Sequence, residues 1–253
     1  MTAPAPAPPR AAPTARRISA QLRMELRLTL RRGESVLLTF LIPVLILVFF
    51  SLVDVLPTGT EDPVDFLLPG VLALAVISSA MTGPAIATGF ERSTGVLKRL
   101  GLTPLSRRDL LVAKLGAVFV VELLQVVLLL AVGLALGWDP SGGLVVAALG
   151  MVVATVGFAG VGMVMAGTLP ALTTLALANA VYLVLLFLGG VVVPLDELPG
   201  ALQVVALALP SGALSEITHG ALEHTGVPGV AWLVLLGWAV AAPLAAARLF
   251  RWE

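Results

Sequence analysis

The chain has 253 residues, of which 58% are hydrophobic and only 12% charged, with a mean hydropathy of +1.05 and no formal net charge. A soluble domain is nearer half apolar and a quarter charged, so most of this chain belongs in a bilayer. Cysteine is absent, which excludes disulfides, thiol catalysis and Cys-ligated metals, and two histidines are too few for an ordinary zinc site.

The chain opens on a Pro/Ala-rich tail, residues 1–14, whose composition predicts disorder. No apolar core follows it directly, so it does not read as a secretory signal. Residues 15–33 form an amphipathic segment. Ile18, Leu22 and Leu26 share one helical face, with Arg23, Arg27 and Arg31 in the next row. The stretch LRMELRLTL also alternates with period two, but Leu, Arg, Met and Glu favour helix. A basic amphipathic helix ahead of a span is expected to lie along the membrane surface.

Residues 34–253 then read as a six-span transmembrane domain. Hydropathy places spans near 35–53, 66–89, 109–137, 143–167, 171–193 and 229–249. Between the last two, residues 194–228 are broken by Pro194, Pro199 and Pro210 into pieces too short to cross, which fits short re-entrant or interfacial helices. The predicted class is an all-α membrane protein.

Six spans put both termini on one side. Under this topology the outer loops hold Asp54, Glu61, Asp62, Asp65, Asp139, Asp196, Glu197, Glu216 and Glu223 and no Lys or Arg. Every Lys and Arg falls before the first span, between the second and third, at the start of the third, or at the end of the sixth and after it. The positive-inside rule makes those regions, and both termini, cytoplasmic.

The densest island of charge is GFERSTGVLKRLGLTPLSRRDLLVAKL, starting at Gly89. Ser93 or Thr94 is expected to cap a short helix, and Gly101 with Thr103-Pro104 to end it. Val96, Leu97 and Leu100 give that helix one apolar edge beside Lys98 and Arg99. Ser106 and Asp109 make a capping box for the third span. Two readings of the island stand: Lys98, Arg99, Arg107 and Arg108 set topology and touch lipid phosphate, or the short helix docks a cytoplasmic partner.

Several stretches carry a resemblance to a known family. Asp65-Phe66-Leu67-Leu68-Pro69-Gly70, then Glu91-Arg92-Ser93-Thr94-Gly95-Val96-Leu97-Lys98-Arg99-Leu100, then Thr103-Pro104-Leu105-Ser106-Arg107 resemble ABC-2 type transporter permeases in order and spacing. Pro194-Leu195-Asp196-Glu197-Leu198-Pro199 and Leu209-Pro210 look like that family's elements ahead of its last span. Ser93 stands where the family has a second acid, Lys98 where an acid is common, and Leu209 where Asn precedes Pro. The likeness covers nearly everything after residue 15 and is nearest the drug and antibiotic exporters.

The resemblance implies a dimeric exporter core in the cell membrane, with a second permease copy, identical or paralogous. Two copies of an ABC ATPase subunit would dock on a coupling helix formed by Glu91, Arg92, Thr94, Gly95, Val96, Leu97, Lys98, Arg99 and Leu100. ATP and Mg would sit on that partner. The residues agree: neither lysine, Lys98 nor Lys114, follows a glycine as a phosphate-binding Gly-Lys-[Ser/Thr] loop requires. No HExxH, nucleophile elbow or paired-carboxylate pattern suggests an enzyme.

Within the third span, Glu122 and Gln125 are candidates for the translocation path, since ionisable groups at that depth are costly. Pairing between helices is the plainer reading. An ion-coupled secondary transporter relying on Glu122 is the competing function. Small residues of the fourth span, Gly150, Ala154, Gly157, Gly160, Gly162, Ala166 and Gly167, suit close helix packing. His219, Glu223 and His224 could meet at a metal but read first as solvated surface. The few aromatics suggest an apolar path suited to a hydrophobic drug-like, antibiotic or lipid substrate.

Overall fold

In a computed structural model, residues 12–31, 33–53, 63–140, 142–190, 194–223 and 225–251 are described. Most of the Pro/Ala tail, the outer acids Asp54, Glu61 and Asp62, and His224 lie outside them. All regular structure among the described residues is helical.

The amphipathic segment is helix α1 (Thr14–Arg31), followed by α2 (Gly33–Leu52). The second predicted span is longer than hydropathy implied. It comprises α3 (Pro63–Ile77), a π-turn (Ser78–Thr82) and α4 (Gly83–Ser93), which run as one crossing from Pro63 to Ser93. Pro63 at the first position and Asp65 in the first turn favour a helix start here. The π-turn has a visible cause in Pro84: its missing N–H and its ring oppose continuous α-geometry, and the widened turn absorbs both. A short α5 (Val96–Gly101) leads to α6 (Arg107–Ala135), α7 (Leu144–Thr168) and α8 (Ala171–Leu188). Then come α9 (Gly200–Ala208), α10 (Pro210–Leu222) and α11 (Gly229–Leu249).

Five crossings are long and apolar enough to span: α3–α4, α6, α7, α8 and α11. The first predicted span, α2, has an apolar stretch of only Leu37–Leu52, while α9 and α10 form an apolar pair bent by 88°. Pro210 causes the bend, since it cannot continue the hydrogen-bond ladder from α9. The indole of Trp238 on α11 donates to the Ala208 carbonyl at 3.0 Å, satisfying an acceptor that the break would otherwise strand.

The enclosed core is the α3–α4 crossing, whose residues Leu67, Leu68, Val71 to Ile77, Ala80 and Met81 are buried. Helix α7 packs on it and on α11 through its glycines. A Cβ at Gly160 would lie 2.5 Å from the Pro243 nitrogen, and one at Gly162 would lie 2.8 Å from the Met81 carbonyl oxygen. Apolar side chains gain nothing by leaving lipid for each other, so close backbone approach is what joins such helices. The small-residue stripe is therefore packing.

Basic residues gather at one end. There Arg17 donates to the Pro104 carbonyl, Arg92 to the Leu169 carbonyl, and the Arg251 amide to the Gly167 carbonyl. Both ends of the described chain thus meet the α5 and α7–α8 connections at one pole of the bundle.

Gly160→Ala is expected to force a backbone shift and cost about 1–3 kcal/mol. Gly237→Ala, with nothing within 4 Å of the new Cβ, is the tolerated control. Thermal unfolding of the detergent-purified protein checks the pair; equal melting would refute the assigned packing role.

Candidate functional site

At the basic pole the segment expected to form the coupling helix is built differently from its sequence reading. Glu91 and Arg92 are not part of the short helix; they are the last turn of α4. The Ser93 and Thr94 hydroxyls both donate back to the Phe90 carbonyl, each at 2.9 Å, and so close the preceding helix rather than open the next. Gly95 follows at φ 73, the left-handed residue that ends a helix, and α5 starts at Val96. Thr94-Gly95 was the readable signal for a helix stop.

This geometry splits the expected site into two parts. Leu97 is fully buried, while Val96, Lys98, Arg99 and Leu102 face outward, Leu102 being 87% exposed. Leu100 is intermediate. The predicted apolar edge is therefore divided, with Leu97 anchoring α5 and Val96 and Leu102 presented. Thr103 ends α5 by donating to the Leu100 carbonyl at 2.6 Å. The capping box is present: Asp109 N donates to Ser106 Oγ at 3.1 Å and Ser106 N to Asp109 Oδ2 at 3.2 Å.

The inward part of the segment is held by ions. Lys114, about two turns inside α6, places its Nζ 2.7 Å from Glu91 Oε2 and 3.2 Å from Glu25 Oε2. Glu25 Oε1 accepts from Gln21 Nε2 at 2.8 Å. Nearby, Arg17 Nη2 lies 3.1 Å from Asp109 Oδ2. These contacts pin α1 along α6, and α4 to both. Sequence reasoning missed Glu25 and Lys114 as a site. The signal was available: a lysine in an apolar span needs a partner, and Glu25 is the lone acid of a basic helix.

Above these ions a cavity of about 430 Å³ opens between α1, α2, the π-turn, α6 and α8. Glu25 and Lys114 line it at the basic pole, Ser78 and Thr82 come from the π-turn, and Asn179 and Tyr182 from α8. The Thr82 hydroxyl is buried without a hydrogen-bond partner. The size suits a drug-sized molecule.

Glu122 and Gln125 do not line that cavity, although Val121 and Leu124 of the same helix do. Both are buried and tie helices together. Glu122 Oε2 lies 2.6 Å from Thr155 Oγ1 on α7, and Gln125 Nε2 donates to the Thr39 carbonyl on α2 at 2.8 Å. At the opposite pole, a cleft of about 290 Å³ holds His219, its Nδ1 2.6 Å from Glu223 Oε1 and its ring 4.9 Å from that of Phe66. Among the described residues, no group of three or more acids or histidines is arranged to hold a metal.

A model of the ABC-2 type transporter family matches residues 16–217, from α1 through α10. The chain belongs to the ABC-2 type transporter family. No curated protein matches it. As an ABC-2 membrane domain it is the permease part of an ABC transporter, which works with an ABC ATPase. In this permease the charged segment connects α4 to α6, and Lys114 bonds its first acid, Glu91, and Glu25 of α1.

Lys114→Met would leave two carboxylates facing each other in a buried site. The expected cost is about 3–5 kcal/mol, read as loss of membrane-inserted protein and a lowered melting temperature. Wild-type accumulation and melting would show that the triad does not support the fold.

Proposed function

We propose that this permease is the membrane subunit of an ATP-driven exporter, docked through α5 on a separate ATPase subunit. The observation that carries the reading is the division of the coupling segment into a presented face and a braced root. Val96, Lys98, Arg99 and Leu102 offer apolar and cationic contacts at the basic pole. Glu91, Arg92 and Leu97 root that face in α6, in the α7–α8 connection and in the core. A push on α5 therefore reaches the spans instead of being lost in a loose loop. Thr94 and Gly95 form the turn between the two parts, and Leu100 flanks the presented face.

The placement of Lys and Arg supports a cytoplasmic basic pole in the cell membrane. On this reading two permease copies, identical or paralogous, pair with two ATPase copies that hold ATP and Mg. Their closure shifts the permease between inward and outward states, and substrate biases the same equilibrium. The cavity between α1, the π-turn and α8 is the proposed start of the path, with walls of Leu, Ile, Val and Pro suited to a hydrophobic drug-like, antibiotic or lipid molecule. Glu122 and Gln125 serve the path from behind its wall, holding α6 to α7 and α2.

Val96→Asp with Leu102→Asp is expected to abolish co-purification of the ATPase and transport, while the permease still melts like wild type. Leu97→Ala is expected to destabilise the permease itself by about 2–5 kcal/mol. Affinity purification from native membranes with mass spectrometry, alongside melting, separates the two effects. An ATPase retained by the double variant would refute docking through α5.

A further inference from the structure

Glu25, Lys114 and Glu91 carry two negative charges and one positive, so the cavity's basic-pole floor is net negative. Only Glu25 and Lys114 line the cavity; Glu91 stands behind them in the last turn of α4. The ammonium is held unequally, 2.7 Å from Glu91 and 3.2 Å from Glu25. Of the two carboxylates, the one the cavity reaches is thus the one Lys114 holds less closely. Glu25 keeps its second oxygen on Gln21, which fixes the carboxylate in place if Lys114 withdraws.

We infer that the cavity takes an amphiphile bearing a nitrogen cation with N–H donors, and that Lys114 shifts between the two acids when it binds. The ligand's cation replaces Lys114 at Glu25, and its apolar body lies along the π-turn and α8. Lys114 then belongs to Glu91 alone, giving two neutral pairs where there was a triad with one charge in excess. An anionic head group would meet that excess charge and be rejected. Because Glu91 roots the coupling turn, occupancy of the cavity is felt at α5. This deepens the exporter reading above, since it takes the cavity as the substrate's path.

Each substitution that tests this removes one acid and leaves Lys114 in a single neutral pair. Glu25→Gln leaves Lys114 paired with Glu91, and Glu91→Gln leaves it paired with Glu25. The probes are rhodamine 6G, a cationic amphiphile, and N-phenyl-1-naphthylamine, which is neutral. Both are titrated by fluorescence onto the purified full chain in phosphatidylglycerol nanodiscs. Glu25→Gln is expected to weaken the cation about tenfold by removing its counter-ion. Glu91→Gln, though outside the cavity, is expected to weaken it severalfold, because Lys114 then has only Glu25 to hold. The neutral probe should bind alike to all three proteins.

A Glu91→Gln protein that binds rhodamine 6G like wild type would overturn the shift of Lys114. A Glu25→Gln protein that does so would overturn the site. Competition by added phosphatidylethanolamine would identify a lipid ammonium as the native occupant, and its absence an exported compound; either supports the chemistry. Binding is read on the permease alone, so failure here leaves ATPase docking intact. Failure of docking likewise leaves this result standing.

Discussion

An ammonium group buried at the end of an apolar span cannot stand alone, and the basic pole of this protein is organised around that fact. Lys114 needs anions in a place where water is scarce. One comes from α1 and the other from the last turn of α4, so the surface-type helix, the second crossing and the third are joined at a single nitrogen. Removing the ion would leave the Glu25 and Glu91 carboxylates facing each other and loosen the junction of α1, α4 and α6. The neighbouring Arg17–Asp109 pair repeats the logic one turn lower, tying α1 to the capping box that starts α6.

Elsewhere the bundle relies on shape. Within lipid no apolar surface is gained by helix contact, so the helices meet where side chains are smallest. The glycines of α7 let α11 and the π-turn approach at backbone distance. Gly143 does the same at the opposite pole. It has φ 70, and a Cβ there would fall 1.9 Å from the Ala221 carbonyl oxygen, so both its conformation and its space exclude other residues. The permease is thus fastened by ions where it meets the aqueous pole and by close packing within its depth.

Much of this was legible in the chain. Hydropathy located the five long crossings found among the described residues, the Ser106–Asp109 spacing announced its capping box, and Pro210 announced the break after α9. What escaped notice depended on register rather than composition. Ser93 and Thr94 are good caps for either end of a helix, and only the left-handed Gly95 decides that they close α4. The partners of Lys114 are distant in sequence, and no local period connects Glu25, Glu91 and Lys114. Glu122 drew attention because an isolated acid in a span is conspicuous. Its partner is a threonine hydroxyl, a residue type that leaves almost no signal in an apolar sequence.

The π-turn ahead of Pro84 also acts as a phase shift. An α-helix advances about 100° per residue, and a π-turn accommodates one extra residue in a turn. The two halves of the second crossing are therefore rotated relative to one another about a common axis. The upper half keeps Leu67, Leu68 and Val71 enclosed, and the lower half aims Glu91 at Lys114. Rewinding Ser78–Thr82 into uniform α-helix with every residue kept would leave every side chain chemically unchanged. It would also swing Glu91 through about a quarter of a turn, so the ion triad depends on the winding of a turn nearly ten positions away as much as on its own charges.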